Sequence, residues 1–505
     1  MPLNTPFSHQ SPLCYWSECS DNKATATSTS TATLTSTSRP TLTTAVNGCA
    51  LECNDGRYSW SELTSYVTSV RQQLSAMGLG DNDVLMLVTA HSSLQSIIVY
   101  LAALEAGIVV SIVPLLPESE LVKRQALLGC SHCYLCPSVE PELTGSIDTI
   151  YLEFTTSDYS SEDCSSSHSH FSVSNIASLI FTSGSTGDPK AVAHSVTNHL
   201  ASAIGLQQQF SFDASSTWLL SLPLFHVSGL AIVWRWLLCG CCLRLKQGKG
   251  LNLQGVSHTS MVPTQLQHAL QQIEEGTLQT PLTLQRVLLG GAIIPHPLAN
   301  AARKYGIDTW AGYGLTEMAS TVTAKRVDEA DSAGQVLAKR AIKIDNQTIL
   351  VAGETLAVGY WQKGILSPLA MHDGWFDTKD LGRWQNDELV IMGRADNLFI
   401  SGGENIHCEE IERVLIKHSS IMQAFIVPVV DPTFGHRPVA LLTLSQGALN
   451  GELKRELNEL CLSHLQKFKC PIDYLPIPST LLNQGIKVSR AKLKNWLSEQ
   501  HIERF

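Results

Sequence analysis

The sequence has no excess of basic residues. Its 505 residues include 35 Lys+Arg against 45 Asp+Glu, which gives a formal net charge of −10. Proteins whose main partner is nucleic acid need a basic surface to neutralise phosphates, so this balance argues against that class and leaves room for a local nucleotide site. Charged residues make up only 16% and hydrophobic residues 44%, a composition that supports a large core and argues against global disorder.

Two kinds of targeting segment are also missing. Residues 1–16 contain no basic stretch followed by an apolar stretch, which is the pattern of a secretory signal. The most apolar long run, residues 219–238, contains His226 and Arg235, and a buried strand and helix explain it better than a membrane span. We therefore expect a cytoplasmic protein whose 14 cysteines are reduced thiols rather than a disulfide framework.

The chain is too long for one ordinary domain. Residues 1–54 are expected to be a variable N-terminus with a flexible Ser/Thr-rich stretch, residues 25–44, because that stretch has almost nothing to bury. Residues 55–393 alternate short apolar runs with helical spacings, which predicts a large α/β domain with a mostly parallel sheet. The pattern then changes, so we expect a boundary at residues 394–397 and a smaller α+β domain over residues 398–505.

The strongest local signal is a segment rich in glycine and hydroxyl residues, TSGSTGDPK (residues 182–190), directly after an apolar strand. Glycines let the backbone approach an anion closely, hydroxyl and N–H groups donate to phosphate oxygens, and Lys190 adds a positive charge. The segment is not a Walker A motif, which needs Ser or Thr directly after its lysine. Taken alone, it is equally compatible with an ordinary surface loop.

The same segment resembles the phosphate-binding signature of the adenylate-forming superfamily, which includes acyl-CoA synthetases, luciferases and the adenylation domains of peptide synthetases. Further matches follow in the superfamily's order: GYGLTE (312–317), WFDTKDLG (375–382), GRADN (393–397) with ISGGEN (400–405), and GIKVSR (485–490). A chance match of five ordered motifs is improbable. The resemblance implies a large multi-layer α/β domain followed by a smaller, mobile α+β domain, which is the adenylate-forming enzyme fold.

The resemblance also implies an ATP site. Asp380 can accept hydrogen bonds from both ribose hydroxyls, Thr316 can donate to the α-phosphate, and Glu317 offers a hard oxygen ligand for the Mg²⁺ that accompanies ATP. A GGA segment (290–292) at a strand end leaves room for the flat adenine. The residues expected to bind ATP are Thr182, Ser183, Gly184, Ser185, Thr186, Gly187, Lys190, Gly290, Gly291, Ala292, Tyr313, Gly314, Asp380 and Arg394.

Lys487, together with Thr316 and Glu317, is expected to be catalytic. Adenylation joins a carboxylate to the α-phosphate, and a lysine at that junction offsets the repulsion between the two anions and stabilises the charged transition state. Spacing alone does not distinguish Lys487 from a solvated lysine, but the GIKVSR context does.

The implied reaction has two halves. A carboxylic acid attacks ATP to give acyl-AMP and pyrophosphate, and the thiol of coenzyme A then displaces AMP to give a thioester. Between the halves the small domain rotates, with the backbone at Asp396 as the hinge. Ser401, Gly402 and Gly403 then line the tunnel for the thiol. A catalytic cysteine is not needed, because coenzyme A supplies the sulfur.

Several stretches resemble a narrower family, the o-succinylbenzoate–CoA ligases of menaquinone biosynthesis: LPLFHVSGL (222–230) with WRW (234–236), ISGGENIHCEEIER (400–413) and FGHRPVA (434–440). The acid implied is an aromatic dicarboxylate. Arg235 could pair with the carboxylate that does not react, although an arginine whose head reaches solvent is an equal alternative. His226 could gate the acyl pocket or orient the reacting carboxylate, or be a satisfied core histidine. Thr264 is expected to line the same pocket.

Two other functions stay open: a ligase for another aryl or fatty acid, and a non-catalytic nucleotide-binding homologue, against which Glu317 and Lys487 argue. The expected partners are a small carboxylic acid, ATP and coenzyme A, without nucleic acid or a membrane span, and a homo-oligomer stays open. Three cysteines, Cys130, Cys133 and Cys136, are spaced like zinc ligands, but a second ligand pair at zinc-finger spacing is missing and buried thiols are favoured.

Overall fold

The computed structural model describes residues 7, 10–26, 48–137, 139, 147, 149–156, 170–183, 189–246, 250–445, 447–482, 488 and 490–501, with the backbone alone for residues 21–26, 183, 500 and 501. Most of the Ser/Thr-rich stretch, residues 184–188 of the expected phosphate loop, and Lys487 lie outside these ranges. Within them, no helix combines the length and the apolar character that crossing a bilayer requires.

The helices of the described residues are, in chain order, α1 (Pro12–Ala26), α2 (Trp60–Ala76), α3 (Leu94–Glu105), α4 (Glu118–Leu128), α5 (Val196–Phe210), α6 (Val227–Cys239), α7 (Pro263–Glu274), α8 (His296–Arg303), α9 (Cys408–Leu415), α10 (Gly451–His464), α11 (Ser479–Leu482) and α12 (Arg490–His501). Short 3-10 turns lie at Thr316–Met318, Ala395–Asn397 and Lys467–Lys469.

The strands of the first half are β1 (Leu51–Cys53), β2 (Gly56–Tyr58), β3 (Val84–Thr89), β4 (Val109–Pro114), β5 (His132–Leu135), β6 (Thr149–Ile150), β7 (Ile176–Ser183), β8 (Pro189–Ser195), β9 (Thr217–Leu220), β10 (Cys242–Leu245) and β11 (His258–Met261). Those that follow, up to the expected domain boundary, are β12 (Arg286–Leu289), β13 (Asp308–Leu315), β14 (Ser320–Arg326), β15 (Gln335–Val336), β16 (Arg340–Asp345), β17 (Thr348–Gly353), β18 (Gly359–Gln362), β19 (Ile365–Ser367), β20 (Met371–His372), β21 (Trp375–Gln385) and β22 (Glu388–Arg394). The last are β23 (Leu398–Ser401), β24 (Glu404–His407), β25 (Ile421–Asp431), β26 (Gly435–Leu444) and β27 (Asp473–Pro476).

The described strands form four sheets. The first has the order β15-β14-β13-β12-β11-β9-β10-β1-β2, and the second has the order β19-β18-β8-β7-β4-β3-β5-β6. Both sheets are parallel in the middle and antiparallel at one or both edges. They are therefore mostly parallel, as the sequence predicts. A third sheet, β16-β17-β21-β20 with β22 on β21, is antiparallel; the fourth, β24-β23-β26-β25 with β27 on β26, belongs to the C-terminal part.

Strands buried on both faces explain the layered core. In β3 the side chains of Leu85 and Leu87 join a cluster that contains α3 and α6, whereas Met86 and Val88 join another cluster with α4. Alternate residues of a strand point to opposite faces, so the sheet that contains β3 has helices on both sides. All residues of α3 are buried except Gln95, as expected for a helix between two sheets. Layers of helices therefore alternate with the two large sheets.

The N-terminal helix α1 is a feature that the sequence did not predict. Its Trp16 is 3% exposed, and the indole Nε1 donates to the carbonyl of Leu237 in α6 at 2.8 Å. The ring also lies 6.3 Å from that of Trp60 at the start of α2. Part of the expected variable N-terminus is therefore packed into the large domain.

Apolar residues of the C-terminal part form their own clusters, which run from Phe399 to Leu497. Ile293 of the preceding chain packs against one of them. The architecture is a large multi-layer α/β domain followed by a smaller α+β domain, as predicted from the sequence. The exact division at residues 394–397 stays a prediction, which the separation of these clusters supports.

Candidate functional site

The structure brings together three residues expected to bind the nucleotide. The hydroxyl of Tyr313 donates to Oδ2 of Asp380 at 2.6 Å, and Nη1 of Arg394 donates to Oδ1 at 3.0 Å. Asp380 and Arg394 face each other across β21 and β22. Burial raises the pKa of Asp380, and the bonds from Tyr313 and Arg394 oppose that rise. Since a carboxylate has about four acceptor positions, two stay available for hydroxyl groups.

Arg394 also contacts the expected hinge residue. Its Nε and Nη2 donate to the two carboxylate oxygens of Asp396 at 2.9 and 3.1 Å. This bidentate pair raises the pKa of Arg394 and, against the effect of burial, lowers that of Asp396. One guanidinium therefore connects Asp380 to the 3-10 turn that leads into the C-terminal domain.

The GYGLTE segment turns sharply from β13 into β14. A Cβ on Gly314 would lie 2.0 Å from the carbonyl oxygen of Ser320, so the close approach of the two strands requires glycine there. The turn places Thr316 and Glu317 beyond the end of β13. The GGA segment follows β12, whose last residue Leu289 pairs with Ala311, so Gly290 lies beside Gly312 at the start of the GYGLTE segment.

The expected phosphate loop joins two antiparallel strands, with Thr182 opposite Lys190. Gly184, Ser185, Thr186 and Gly187 lie outside the described residues. The Lys190 ammonium lies 5.3 Å from the centre of the Tyr360 ring, and the Tyr360 hydroxyl donates to Oε1 of Glu317 at 3.2 Å. One tyrosine therefore links the end of the loop to the carboxylate expected to bind the metal.

His194 supports the same turn from inside the protein. Its Nε2 donates to the carbonyl oxygen of Thr316 at 2.7 Å, since a carbonyl can only accept. Burial lowers the pKa of His194 to about 4, so the ring is neutral at pH 7. Behind it lies His199, whose ring stacks on that of Trp234 at 5.1 Å.

Sequence reasoning missed Tyr360 and His194, and only one of them had a signal. Lys190, Val192 and His194 are every second residue of β8, and this spacing places all three side chains on one face of the strand. The period of two could therefore have added His194 to the site. Tyr360 lies opposite Val192 through the pairing of β18 with β8, a contact that needs the fold.

Arg235 is buried without a carboxylate partner among the described residues. It is 2% exposed, its Nη1 donates to Oγ of Ser260 at 2.9 Å, and its guanidinium carbon lies 5.2 Å from the centre of the Trp218 ring. Burial lowers the pKa of Arg235 to about 9, so it is charged at pH 7. The alternative of a head that reaches solvent is therefore wrong.

Polar groups surround Ser260 at the ends of β9 and β11. Thr259 donates to Oγ of Ser221 at 2.9 Å, and Gln265 donates to the carbonyl of Ser221 at 3.2 Å. Thr264, next to Gln265, is half-buried in the first turn of α7. Gln265 therefore connects the first turn of α7, which carries Thr264, to Ser221, whose hydroxyl donates to the Ser260 carbonyl.

His226 and Arg235 are not brought into contact. His226 is exposed at the N-terminal end of α6, with its ring 4.9 Å from that of Phe225. Arg235 lies nine residues later, roughly 13 Å along the helix axis. The alternative of a core histidine does not hold, because the ring is exposed.

The expected coenzyme A segment is an exposed hairpin turn. Gly402 and Gly403 have φ of +58° and +87° between β23 and β24, a conformation that favours glycine at both positions. The N–H of Gly402 donates to the carbonyl of Phe434 at 2.8 Å, so the C-terminal domain itself positions the turn. Ser401 is buried, at 2% exposure.

The three cysteines with zinc-like spacing surround β5. Cys133 and Cys136 are buried, and burial raises the pKa of Cys130 to about 11 and that of Cys133 to about 12. The thiols of Cys130 and Cys133 are therefore protonated at pH 7, in agreement with their interpretation as buried thiols.

Comparison with known families gives two matches. The family described as AMP-binding enzyme matches residues 38–361, and the family described as AMP-binding enzyme C-terminal domain matches residues 410–482. The first match contains the expected ATP-binding residues from Thr182 to Gly314, together with Tyr360. The second lies within the smaller domain.

Named relatives cover nearly the same part of the chain. The 2-succinylbenzoate–CoA ligase of Haemophilus influenzae is 39% identical over 444 residues, which are 88% of this chain and 93% of the relative. A variant of E. coli MenE with bound OSB-AMS has a TM-score of 0.79 at 36% identity, covering 90% of this chain and 97% of that one. The o-succinylbenzoate coenzyme A synthetase (MenE) of Bacillus subtilis in complex with ATP and magnesium ion has a TM-score of 0.72 at 26% identity, covering 88% and 96%.

Proposed function

Since this chain belongs to the AMP-binding enzyme family, we propose that it is an AMP-forming acid–thiol ligase. It activates o-succinylbenzoate with ATP as acyl-AMP and transfers the acyl group to coenzyme A. The observation that supports this most is the 39% identity to a 2-succinylbenzoate–CoA ligase over 93% of that relative. Its partners are small molecules, and we place its activity in the cytoplasm and in menaquinone biosynthesis.

In the first half-reaction the large domain holds ATP. Asp380 accepts hydrogen bonds from the ribose hydroxyls with the acceptor positions that Tyr313 and Arg394 leave available. Residues 290–292 form one wall of the adenine site, beside β13. The loop from Thr182 to Lys190 donates hydrogen bonds to the phosphates. Thr316 donates to the α-phosphate, where the substrate carboxylate attacks in line with the leaving pyrophosphate.

Glu317 fits a magnesium ion. Its Oε1 accepts a bond from Tyr360, Oε2 accepts none from the described residues, and the side chain is only half-buried, so a hard oxygen ligand faces the phosphate end of the site. Glu317 would hold Mg²⁺ there, and the ion would supply positive charge that neutralises the phosphates. The neutral His194 holds the Thr316 carbonyl, so the turn that presents Glu317 does not need to reorganise.

The C-terminal domain supplies the remaining groups. Lys487 stabilises the charge that develops between carboxylate and α-phosphate. Rotation at Asp396 then exchanges this lysine for the Ser401–Gly403 turn, along which the thiol of coenzyme A reaches the acyl-adenylate. These roles rest on the motifs that contain the residues.

Arg235 explains why the acid is a dicarboxylate. A buried guanidinium without a counter-ion is costly, and a carboxylate of the substrate would offset that cost through charge-assisted hydrogen bonds. We assign Ser260 and Thr264 to the polar end of the acid-binding pocket, beside Arg235, and His226 to its exposed edge. A monocarboxylic acid would leave Arg235 unpaired.

The test is pyrophosphate release with ATP and Mg²⁺ across an acid panel, with and without coenzyme A. The panel contains o-succinylbenzoate, benzoate, 4-coumarate and a medium-chain fatty acid. Turnover confined to o-succinylbenzoate, with formation of its CoA thioester, is the expected result. Turnover of another acid would support the mechanism and reject o-succinylbenzoate as the substrate. No turnover of any acid would favour a non-catalytic nucleotide-binding protein.

A further inference from the structure

Cys49 and Cys242 lie side by side although 193 positions separate them. Cys49 precedes β1 and Cys242 begins β10, and these strands pair in parallel with Leu51 opposite Leu243. The Cys242 thiol donates to Sγ of Cys49 at 3.4 Å, and the two residues are only 6% and 3% exposed. Two thiols in such contact can form a disulfide with little backbone movement.

The hydrogen bond from Cys242 and the nearby Arg57 favour a thiolate on Cys49. The Arg57 guanidinium contacts Cys49, and the hydrogen bond from Cys242, followed by Arg57, lowers the pKa of Cys49 to about 6, against burial. The pKa of Cys242 is raised by its bond to Cys49 and by burial. When protonated, Cys49 donates instead to the carbonyl of Leu51 at 3.4 Å. One thiol is thus activated as a nucleophile while its neighbour keeps its proton.

Three buried thiols elsewhere in the described residues differ from Cys49. Burial raises the pKa of Cys133 and Cys408 to about 12 and that of Cys461 to about 11. Cys49 also lies one strand from the sheet edge, which β2 forms. A small oxidant therefore meets one activated thiol with a second sulfur in contact.

Glu52 also converges on the two sulfurs, so a metal ion must be considered. Nη2 of Arg244, however, donates to Glu52 at 2.9 Å, and Nε of Arg57 lies 3.9 Å from the same oxygen. The two guanidinium groups beside the Glu52 carboxylate repel a metal cation, and they already interact with the oxygen that would bind it. The surroundings favour thiolate chemistry over metal binding.

We propose that Cys49 and Cys242 form a reversible disulfide on exposure to a hydroperoxide oxidant. The Cys49 thiolate attacks one oxygen of hydrogen peroxide, the O–O bond breaks, and hydroxide leaves, which gives a sulfenic acid. The Cys242 sulfur then attacks Cys49, the S–O bond breaks, and the Cys242 proton leaves with the hydroxyl as water. The two sulfurs lose two electrons and peroxide gains them. The disulfide joins the segment that precedes β1 to β10, the strand that follows α6.

The test treats the reduced full chain with equimolar hydrogen peroxide and maps thiols by alkylation and mass spectrometry. The expected result is a cross-linked Cys49–Cys242 peptide, a loss of two thiols per chain, and reversal by dithiothreitol. Cys242→Ser should stop at a sulfenic acid on Cys49 that dimedone traps, and the control Cys461→Ser should react like the wild type.

Three results would overturn the proposal: cross-links that join other cysteines, a Cys49 that stays reduced while other thiols oxidise, or one equivalent of zinc that survives dialysis against a chelator and is lost in Cys49→Ser. Mapping of the wild-type chain needs no variant, so a folding defect in a variant leaves the test intact.

Discussion

The hydroxyl of Tyr313 and the carboxylate of Asp380 are joined by a 2.6 Å hydrogen bond, although 67 positions separate the two residues. The bond fixes the side chain that we assign to the ribose before any nucleotide is present. It also stabilises the ionised form of a carboxylate whose pKa burial raises.

Tyr313→Phe should move the acid limb of the pH profile. The donor favours the charged form of Asp380, so its loss raises the pKa of Asp380 further, and the ionised fraction falls at a higher pH than in the wild type. A hydrogen bond to a charged group contributes about 1.5–3 kcal/mol, which corresponds to a shift of about one to two pH units. The measurement is kcat/KM for ATP between pH 5 and 8. A shift toward lower pH would contradict the assignment.

Arg235→Met should weaken the binding of o-succinylbenzoate without lowering the stability of the fold. Removal of an unpaired buried charge should leave the melting temperature unchanged or raise it, because methionine fills the space without the desolvation cost. The KM for o-succinylbenzoate should rise about 100-fold, as for the loss of two charge-assisted bonds, and that for benzoate analogues less than about 3-fold. Equal effects on both acids would reject the pairing with the second carboxylate.

The same pairing predicts a basic limb. The pKa of Arg235 is about 9, so the guanidinium loses its charge as the pH rises through that value. The wild-type KM for o-succinylbenzoate should increase above pH 9, whereas Arg235→Met should show a flat KM there. A basic limb that persists in the variant would assign the titration to another group.

Tyr360→Phe should weaken the use of magnesium. The substitution removes the donor that orients Glu317 and keeps the ring beside Lys190. We expect kcat/KM for ATP to fall about 3- to 10-fold, in line with a hydrogen bond of about 0.5–1.5 kcal/mol, with a higher magnesium requirement. Tyr305→Phe, whose ring packs at a different apolar cluster, is the control. Superimposable magnesium titrations would refute this role.

Lys487→Ala should block adenylation by at least about 100-fold while ATP affinity changes little, because the lysine acts on charge that develops only in the transition state. Pyrophosphate exchange measures the first property and nucleotide titration the second. Lys494→Ala, a nearby lysine outside the motif, should behave like the wild type. Adenylation at the wild-type rate in Lys487→Ala would remove its catalytic assignment.

Local pattern was a reliable guide where one element is buried on all sides. The short apolar run VLMLVT (84–89) is typical of a buried strand and coincides with β3, and the apolar stretch at 219–238 divides into β9 and α6 as expected. Strong periodicity and length decide such elements before tertiary contacts act. By contrast, α1 has no clear amphipathic pattern, and its place depends on the contact of Trp16 with α6.

In the candidate site, too, some residues could be predicted from the sequence and others only from the fold. Motifs identified Asp380, Glu317 and Lys190 one by one, because each residue type has its own chemistry. Their neighbours Tyr360 and His194 stayed hidden, since strand pairing and the packing of the GYGLTE turn decide those contacts. The sequence also left the burial of Arg235 open, because α6 is apolar on nearly every side and has no amphipathic pattern that shows whether its one charged side chain lies inside or reaches solvent.

Arg394 divides its donors between Asp380 and Asp396. If the C-terminal domain rotates at Asp396, as we propose, the carboxylate assigned to the ribose and the hinge share a single cation. A rotation that separates Arg394 from Asp396 would leave more of the guanidinium's donors for Asp380. A hinge variant designed to alter only the motion would therefore also change the lifetime of bound AMP.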